Sequence, residues 1–212
     1  LNEISTKIGE NTSKTIKYIN TLLSLKILHK KYPFGVNPDK SRKGVYMISD
    51  NCYRFWYKYV FLNRTGIEKG IGGNIADNDV FPYMDEYIGR YVFEEICKQY
   101  IVKLNKNGKL PFLATGFGSW WGNDRKEKKQ ADLDIVADNK NDKSILLCEC
   151  KWRNQINDVS DIMKLMNKKY LMPHYDNYYF MFFSKVEYSA SAIKLEKEHP
   201  NLKLITSDML FD

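Results

Sequence analysis

Asp132-Leu133-Asp134-Ile135-Val136 and Ile145-Leu146-Leu147-Cys148-Glu149-Cys150-Lys151 are two apolar runs split by Asp138-Asn139-Lys140-Asn141-Asp142-Lys143. Short apolar runs bounded by Asp, Asn and Lys turn residues predict a β-hairpin. Side chains alternate along a strand, so Asp132 and Asp134 share one face of the first arm. Glu149 and Lys151 share one face of the second, and Cys148 and Cys150 point the other way. Charges interrupting core strands are costly unless paired or metal-bound, which marks the hairpin as a candidate site.

Working outward, residues 83–103 carry a long helical pattern and residues 158–170 a second one. Tyr178-Tyr179-Phe180-Met181-Phe182-Phe183 is apolar throughout, as expected of a central, parallel strand. Residues 189–198 predict a helix and Leu202-Lys203-Leu204-Ile205 a last strand. Helix, hairpin, helix, strand, helix, strand is an α/β sheet flanked by helices.

The N-terminal side reads differently. Residues 3–9 form a short helix ended by Gly9, and Thr12 or Ser13 is placed to cap the next one. That helix carries Ile16, Ile19, Leu22 and Leu23 at helical spacing, with Lys14, Lys17, Tyr18 and Thr21 on its other side. Strands over 27–32 and 45–48 flank a polar, basic tip at 33–43. This is the later part of a winged helix-turn-helix, with a recognition helix suited to a major groove. A solvated helix face packed on another domain is the alternative. Residues 51–62 are helical and dense in aromatics, the usual composition of core. The glycines of 65–80 predict a flexible linker and form no nucleotide-binding fingerprint. The expected domains are therefore 1–64, winged helix, and 81–212, α/β, joined by the linker.

The net charge is +7, and up to Arg64 there are 12 Lys and Arg against 4 Asp and Glu. All of the positive excess lies in the N-terminal third, the footprint expected of phosphate binding. Lys14, Lys17, Lys30, Lys31, Arg42 and Lys43 are the candidate DNA contacts. With 43% hydrophobic residues the chain can build a core. No apolar run reaches membrane-spanning length and no signal pattern opens the chain, so no membrane partner and a cytoplasmic location are expected. The four cysteines lack Cys-x-x-Cys spacing and read as buried, reduced thiols. Leu1 in place of methionine, and the absent first helix of the winged module, lead to the expectation of a piece cut from a longer chain.

Asp134, fifteen residues before Glu149-Cys150-Lys151, resembles the PD-(D/E)xK nuclease superfamily. With Gly118-Ser119-Trp120-Trp121, Lys151-Trp152 and Gly89-Arg90-Tyr91-Val92-Phe93-Glu94-Glu95, the chain resembles the nuclease-like C-terminal domain of unknown function on archaeal-type P-loop ATPases. The family more usually has Glu where Asp132 stands, and the charged loop 123–129 is long.

The resemblance implies a restriction-endonuclease-like fold, DNA as partner, and an ATPase domain of the same protein, with ATP bound there. Two carboxylates at close range repel unless a divalent cation neutralises them. Asp134, Glu149 and the Cys150 carbonyl are the expected ligands of Mg²⁺ or Mn²⁺, and Lys151 would orient water or stabilise developing charge. Glu94 matches the family's additional acidic residue, and Asp132 is placed behind the ligands. The function expected is a metal-dependent DNA endonuclease. The alternatives are an inactive DNA-binding or regulatory module and a dimerisation unit, the chain then forming a homo-oligomer.

Overall fold

A computed structural model describes residues 1–211. The chain divides into two compact units, Leu1–Tyr32 with Asn37–Pro82, and Pro33–Val36 with everything from Tyr83 onward.

In the first unit, α1 (Asn2–Ile8) stops at Gly9, whose φ of 69° closes the helix through its N–H onto Ser5 and Thr6 carbonyls. The next helix, α2 (Thr12–Ser24), is capped by Asn11, whose side chain accepts the Lys14 N–H at 2.8 Å. Thr12 and Ser13, expected as caps, lie inside the helix, because Asn one position earlier caps at least as well. Ile19 is buried, while Lys14, Lys17, Tyr18 and Thr21 are exposed as expected of the polar side. Strands β1 (Leu28–Lys31) and β2 (Val45–Ile48) pair antiparallel, Leu28 opposite Ile48.

Three expectations fail in this unit. The chain continues as α3 (Asn51–Phe55), a π turn and a 3₁₀ turn, then α4 (Arg64–Glu68) and α5 (Gly72–Ile75), with a further π turn at Ala76–Val80. The supposed linker is thus helical. Gly66 explains why: a Cβ there would meet Ile75 at 2.9 Å and Ile71 at 3.2 Å, so glycine permits close packing. The aromatic helix is not core throughout either. Tyr59 is buried, but Tyr53, Trp56, Tyr57 and Phe61 are each about half exposed, since one side of a helix cannot bury every ring. Cys52 is exposed, contrary to the expectation of four buried thiols; Cys97 and Cys148 are buried.

The second unit is a mixed α/β structure. Its helices α6 (Met84–Tyr87) and α7 (Phe93–Lys106) are joined by a π turn, Ile88–Val92. The sheet runs in the order β3 (Gly116–Asp124), β4 (Lys129–Asn139), β5 (Ser144–Lys151), β6 (Asn177–Ser184), β7 (Leu202–Thr206). β3, β4 and β5 are antiparallel, and β5, β6 and β7 are parallel. α8 (Val159–Asn167) lies between β5 and β6 in sequence, and α9 (Ala190–Glu198) between β6 and β7.

On one face of the sheet, Phe93, Cys97 and Ile101 recur every four residues along α7 and pack on Ile135, Leu146, Cys148 and Phe183. On the other, Ile162, Leu165 and Ala192 of α8 and α9 pack on Leu133, Val136, Leu147 and Phe182. The β3 strand is absent from the sequence reading because Gly116, Gly118 and Gly122 lower strand propensity. Two of them are required by close approach. A Cβ at Gly116 would lie 2.2 Å from Asp138 Oδ1, and one at Gly118 would lie 3.0 Å from the Phe34 ring. Phe34 also donates its N–H to the Ser119 carbonyl at 2.7 Å.

Candidate functional site

The hairpin ladder of β4 and β5 runs from Asn139–Ser144 to Ile135–Cys148 and goes no further. Beyond that point β4 stays paired with β3 down to Lys129, and β5 stays paired with β6 out to Lys151. The two strands therefore part in a fork, and the next residues out are Asp134 on one prong and Glu149 on the other.

A register slip sharpens the fork. Gly118 pairs with Val136 and Trp120 with Leu133, so Ser119 faces both Asp134 and Ile135. Such a bulge redirects side chains. Its effect is visible in the core, where Leu133 packs with the α8 and α9 face and Ile135 with the α7 face. Strict alternation, the basis of the sequence reading, fails at this one place.

Within the fork, Asp134 Oδ2 accepts the Cys150 N–H at 2.7 Å, satisfying an amide that the parted ladder leaves without a strand partner. Lys151 donates to Glu149 Oε1, in a short hydrogen bond. Lys168 Nζ lies 2.9 Å from Glu149 Oε2 and donates to the Asp132 carbonyl at 2.9 Å. Glu94, at the start of α7, accepts from Ser119 Oγ at 3.1 Å, which ties it to the bulge. Asp132 is exposed, with its carboxylate 3.7 Å from Lys168 Nζ.

The electrostatics follow from burial. Glu149 is 8% exposed. Burial, then the charge of Glu149, pushes the Asp134 carboxyl up to about 7, and Glu94 adds to the shift. Burial also raises Glu149, but the charges of Lys151 and Lys168 outweigh it and hold Glu149 below the usual carboxylate range. Lys151 is raised: burial lowers it, but the charge and hydrogen bond of Glu149 together with the charges of Asp134 and Asp132 outweigh that. Below neutrality the fork thus keeps a proton that an ordinary carboxyl would have lost, and it gives that proton up near pH 7.

The structure brings together Asp134, Glu149 and Lys151, with Glu94 one hydrogen bond away through Ser119. Lys168 was missed by sequence reasoning, since it sits among several exposed lysines around α8 and has no motif to mark it. Arg42 and Lys43 are exposed, and Lys14 is exposed and pairs with Glu10 at 2.5 Å. Lys30 Nζ sits 5.2 Å from each of the Tyr32 and Tyr46 ring centroids. Among the described residues, no three His, Cys, Asp or Glu side chains group as a metal cage. Mg²⁺ is commonly held by one or two carboxylates plus water and phosphate, so two carboxylates at the fork suit it. Both Glu149 oxygens are engaged by ammonium groups, so a cation there competes with them for the carboxylate. No helix among the described residues is long and apolar enough to cross a membrane.

A crystallised protein of unknown function, AF1548, aligns with 54% of this chain and 64% of its own, at 15% identity and a TM-score of 0.35. That likeness is too slight to place the fold. An uncharacterized protein of Methanocaldococcus jannaschii is 31% identical over 191 residues, which is 88% of this chain and 41% of the relative. The chain therefore spans about two fifths of that relative's length. Residues 56–165, from the aromatic helix through the fork and most of α8, match the DUF234 family of archaeal and bacterial proteins of unknown function, and the chain belongs to that family.

Proposed function

We propose that the second unit is a divalent-metal-dependent phosphodiesterase of the restriction-endonuclease-like class, acting on DNA held by the winged-helix unit. The fork carries this reading: it sets Asp134, Glu149 and Lys151 at the one place where strands of a buried sheet part. Asp134 and Glu149 would hold Mg²⁺ or Mn²⁺, which supplies charge neutralisation at phosphorus and an acidified water. Lys151 provides a positive charge and a proton donor, Nζ, for the developing oxyanion. Glu94 orients Ser119 and through it the bulge that carries Asp134. The exposed face of α2, with Lys14 and Lys17, and the basic segment with Arg42 and Lys43 would bind phosphates. An ATPase domain of the same protein would supply ATP hydrolysis.

One observation favours a second reading. Glu149 is already neutralised by Lys151 and Lys168, as expected of a module that keeps the nuclease-like arrangement and only binds or regulates. Incubation of duplex, nicked and branched DNA with Mg²⁺ or Mn²⁺ decides between them. Cleavage that disappears in Glu149→Ala and in Lys151→Ala supports the nuclease. Cleavage surviving Lys151→Ala removes the role given to that lysine, and no cleavage of any substrate favours the second reading. Affinity for duplex DNA should fall steeply with salt and with charge reversal at Lys14 and Lys17.

A further inference from the structure

Two lysines meet Glu149, and Lys168 lies outside the Glu-x-Lys motif. It opens the 3₁₀ turn Lys168–Leu171, directly after α8. Its Nζ stands 2.9 Å from Glu149 Oε2, 2.9 Å from the Asp132 carbonyl oxygen and 3.7 Å from Asp132 Oδ1. Those oxygens come from both prongs of the fork, two from β4 and one from β5. A carboxylate, a main-chain carbonyl and a second carboxylate around one positive centre is a set of hard oxygen donors, the kind that binds divalent cations. The Glu149 side chain is 10% exposed and that of Lys168 is 22% exposed. The cradle is therefore buried on the Glu149 side and open to solvent at Asp132, whose side chain is 70% exposed. Four rotatable carbons let the ammonium leave without moving the backbone.

We propose that the Lys168 ammonium is a built-in counter-cation that holds the divalent ion's place beside Glu149 and is displaced when the metal binds. This rests on Asp134 and Glu149 being metal carboxylates, as proposed above. Metal loading is then a competition between an intramolecular monovalent cation and a divalent one from solution. Lys168 adds a second positive charge beside Glu149 in the metal-free fork and so weakens its affinity for Mg²⁺ and Mn²⁺. Lys151, bound to the other oxygen of Glu149, stays with the carboxylate as its motif partner.

The test is Mn²⁺ binding by the whole chain without nucleic acid, followed by calorimetry and by the paramagnetic resonance of free Mn²⁺. Lys168→Met should bind Mn²⁺ about tenfold or more tightly than the wild type, a gain of about 1.4 kcal/mol. Lys168→Arg, which keeps the charge, should bind no better than the wild type. The gain should vanish in Lys168→Met/Glu149→Gln. If Lys168→Met fails to fold, Lys168→Gln gives the same comparison with a neutral side chain that still reaches the Asp132 carbonyl. Equal or weaker Mn²⁺ binding by a folded neutral variant, with wild-type binding still lost in Glu149→Gln, would overturn the role of Lys168 and leave the metal site standing. Absence of Mn²⁺ binding in every folded variant would remove the metal site, and this inference with it.

Discussion

Around Asn157 the buried polar atoms settle one another. Arg153 donates to Asn157 Oδ1 through Nε at 3.1 Å and Nη2 at 2.6 Å, and to Asp161 at 2.5 Å. Asn157 donates in turn to Ser184 Oγ at 2.6 Å, which also accepts the Val186 N–H at 3.1 Å. Partial burial raises Asp161, but the hydrogen bonds from Arg153 and Lys164 outweigh it and hold its carboxyl below the usual range. At the fork, two carboxylates, one from β4 and one from β5, share one sheet opening and Asp134 is pushed up to about 7. Both clusters are polar groups inside an apolar frame. The first is complete within the chain, and the second is complete only with a retained proton and a borrowed lysine. A cluster that needs an outside cation to be fully ionised is the one to test for chemistry.

The largest effect should come from breaking the complete cluster. Asn157→Leu strands Ser184 and Arg153 in a site where Asn157 itself is fully buried. We expect a loss of about 3 kcal/mol in urea unfolding, independent of Mg²⁺. A change that depends on Mg²⁺ would erase the distinction between the two clusters.

At the fork the expected changes run the other way. On the proposed metal site, a divalent cation at a hundredfold excess over Kd should add about 2.7 kcal/mol, seen as a rise in Tm, because the unfolded chain has no such site. Glu149→Ala should abolish that gain. Thermal unfolding indifferent to Mg²⁺ and Mn²⁺ in both proteins would instead support the internally neutralised module.

Asp134→Asn isolates the retained proton. The folded pKa of about 7 lies well above the ordinary aspartate value of about 3.9, so the folded state holds its proton after the unfolded state has released it. Stability from this group is therefore present at low pH and is lost as pH rises from about 4 to about 7. Asparagine escapes that loss and can still accept the Cys150 N–H. The metal-free variant should be more stable than wild type at pH 8, and the difference should shrink to near zero at pH 4. Urea titrations of both proteins at the two pH values check the sign, and a pH-independent difference would contradict it. The smallest effect belongs to the rim of the complete cluster. Lys164, 73% exposed and 3.3 Å from Asp161, should cost less than about 0.5 kcal/mol when changed to Ala.

The strands that pack on both faces were legible as continuous apolar runs, and β4, β5, β6 and β7 lie where those runs predict. Glu149 and Lys151, two apart on one strand, had to share a face, and their ion pair follows. By contrast β3 hides behind three glycines, two of which are required by the nearness of Asp138 and Phe34. The helices at Arg64–Glu68 and Gly72–Ile75 are obscured in the same way, because Gly66 makes room for Ile71 and Ile75. A glycine required for close packing and one required for a loop look alike along a chain. The half-exposed aromatic helix carries a further lesson, since aromatic density states what a segment can bury and not how much of it finds a partner.

By itself the sequence determined the α/β character of the second unit, the hairpin with its motif charges, and the polar side of α2. These rest on periodicities of two and 3.6 residues that local backbone geometry imposes. Only the tertiary structure decided that β4 slips register at Ser119, that the ladder stops at Ile135–Cys148, and that Lys168 completes the charge balance of Glu149. Each of those depends on groups many residues apart, brought together by sheet order and helix packing, and no local pattern encodes such a meeting.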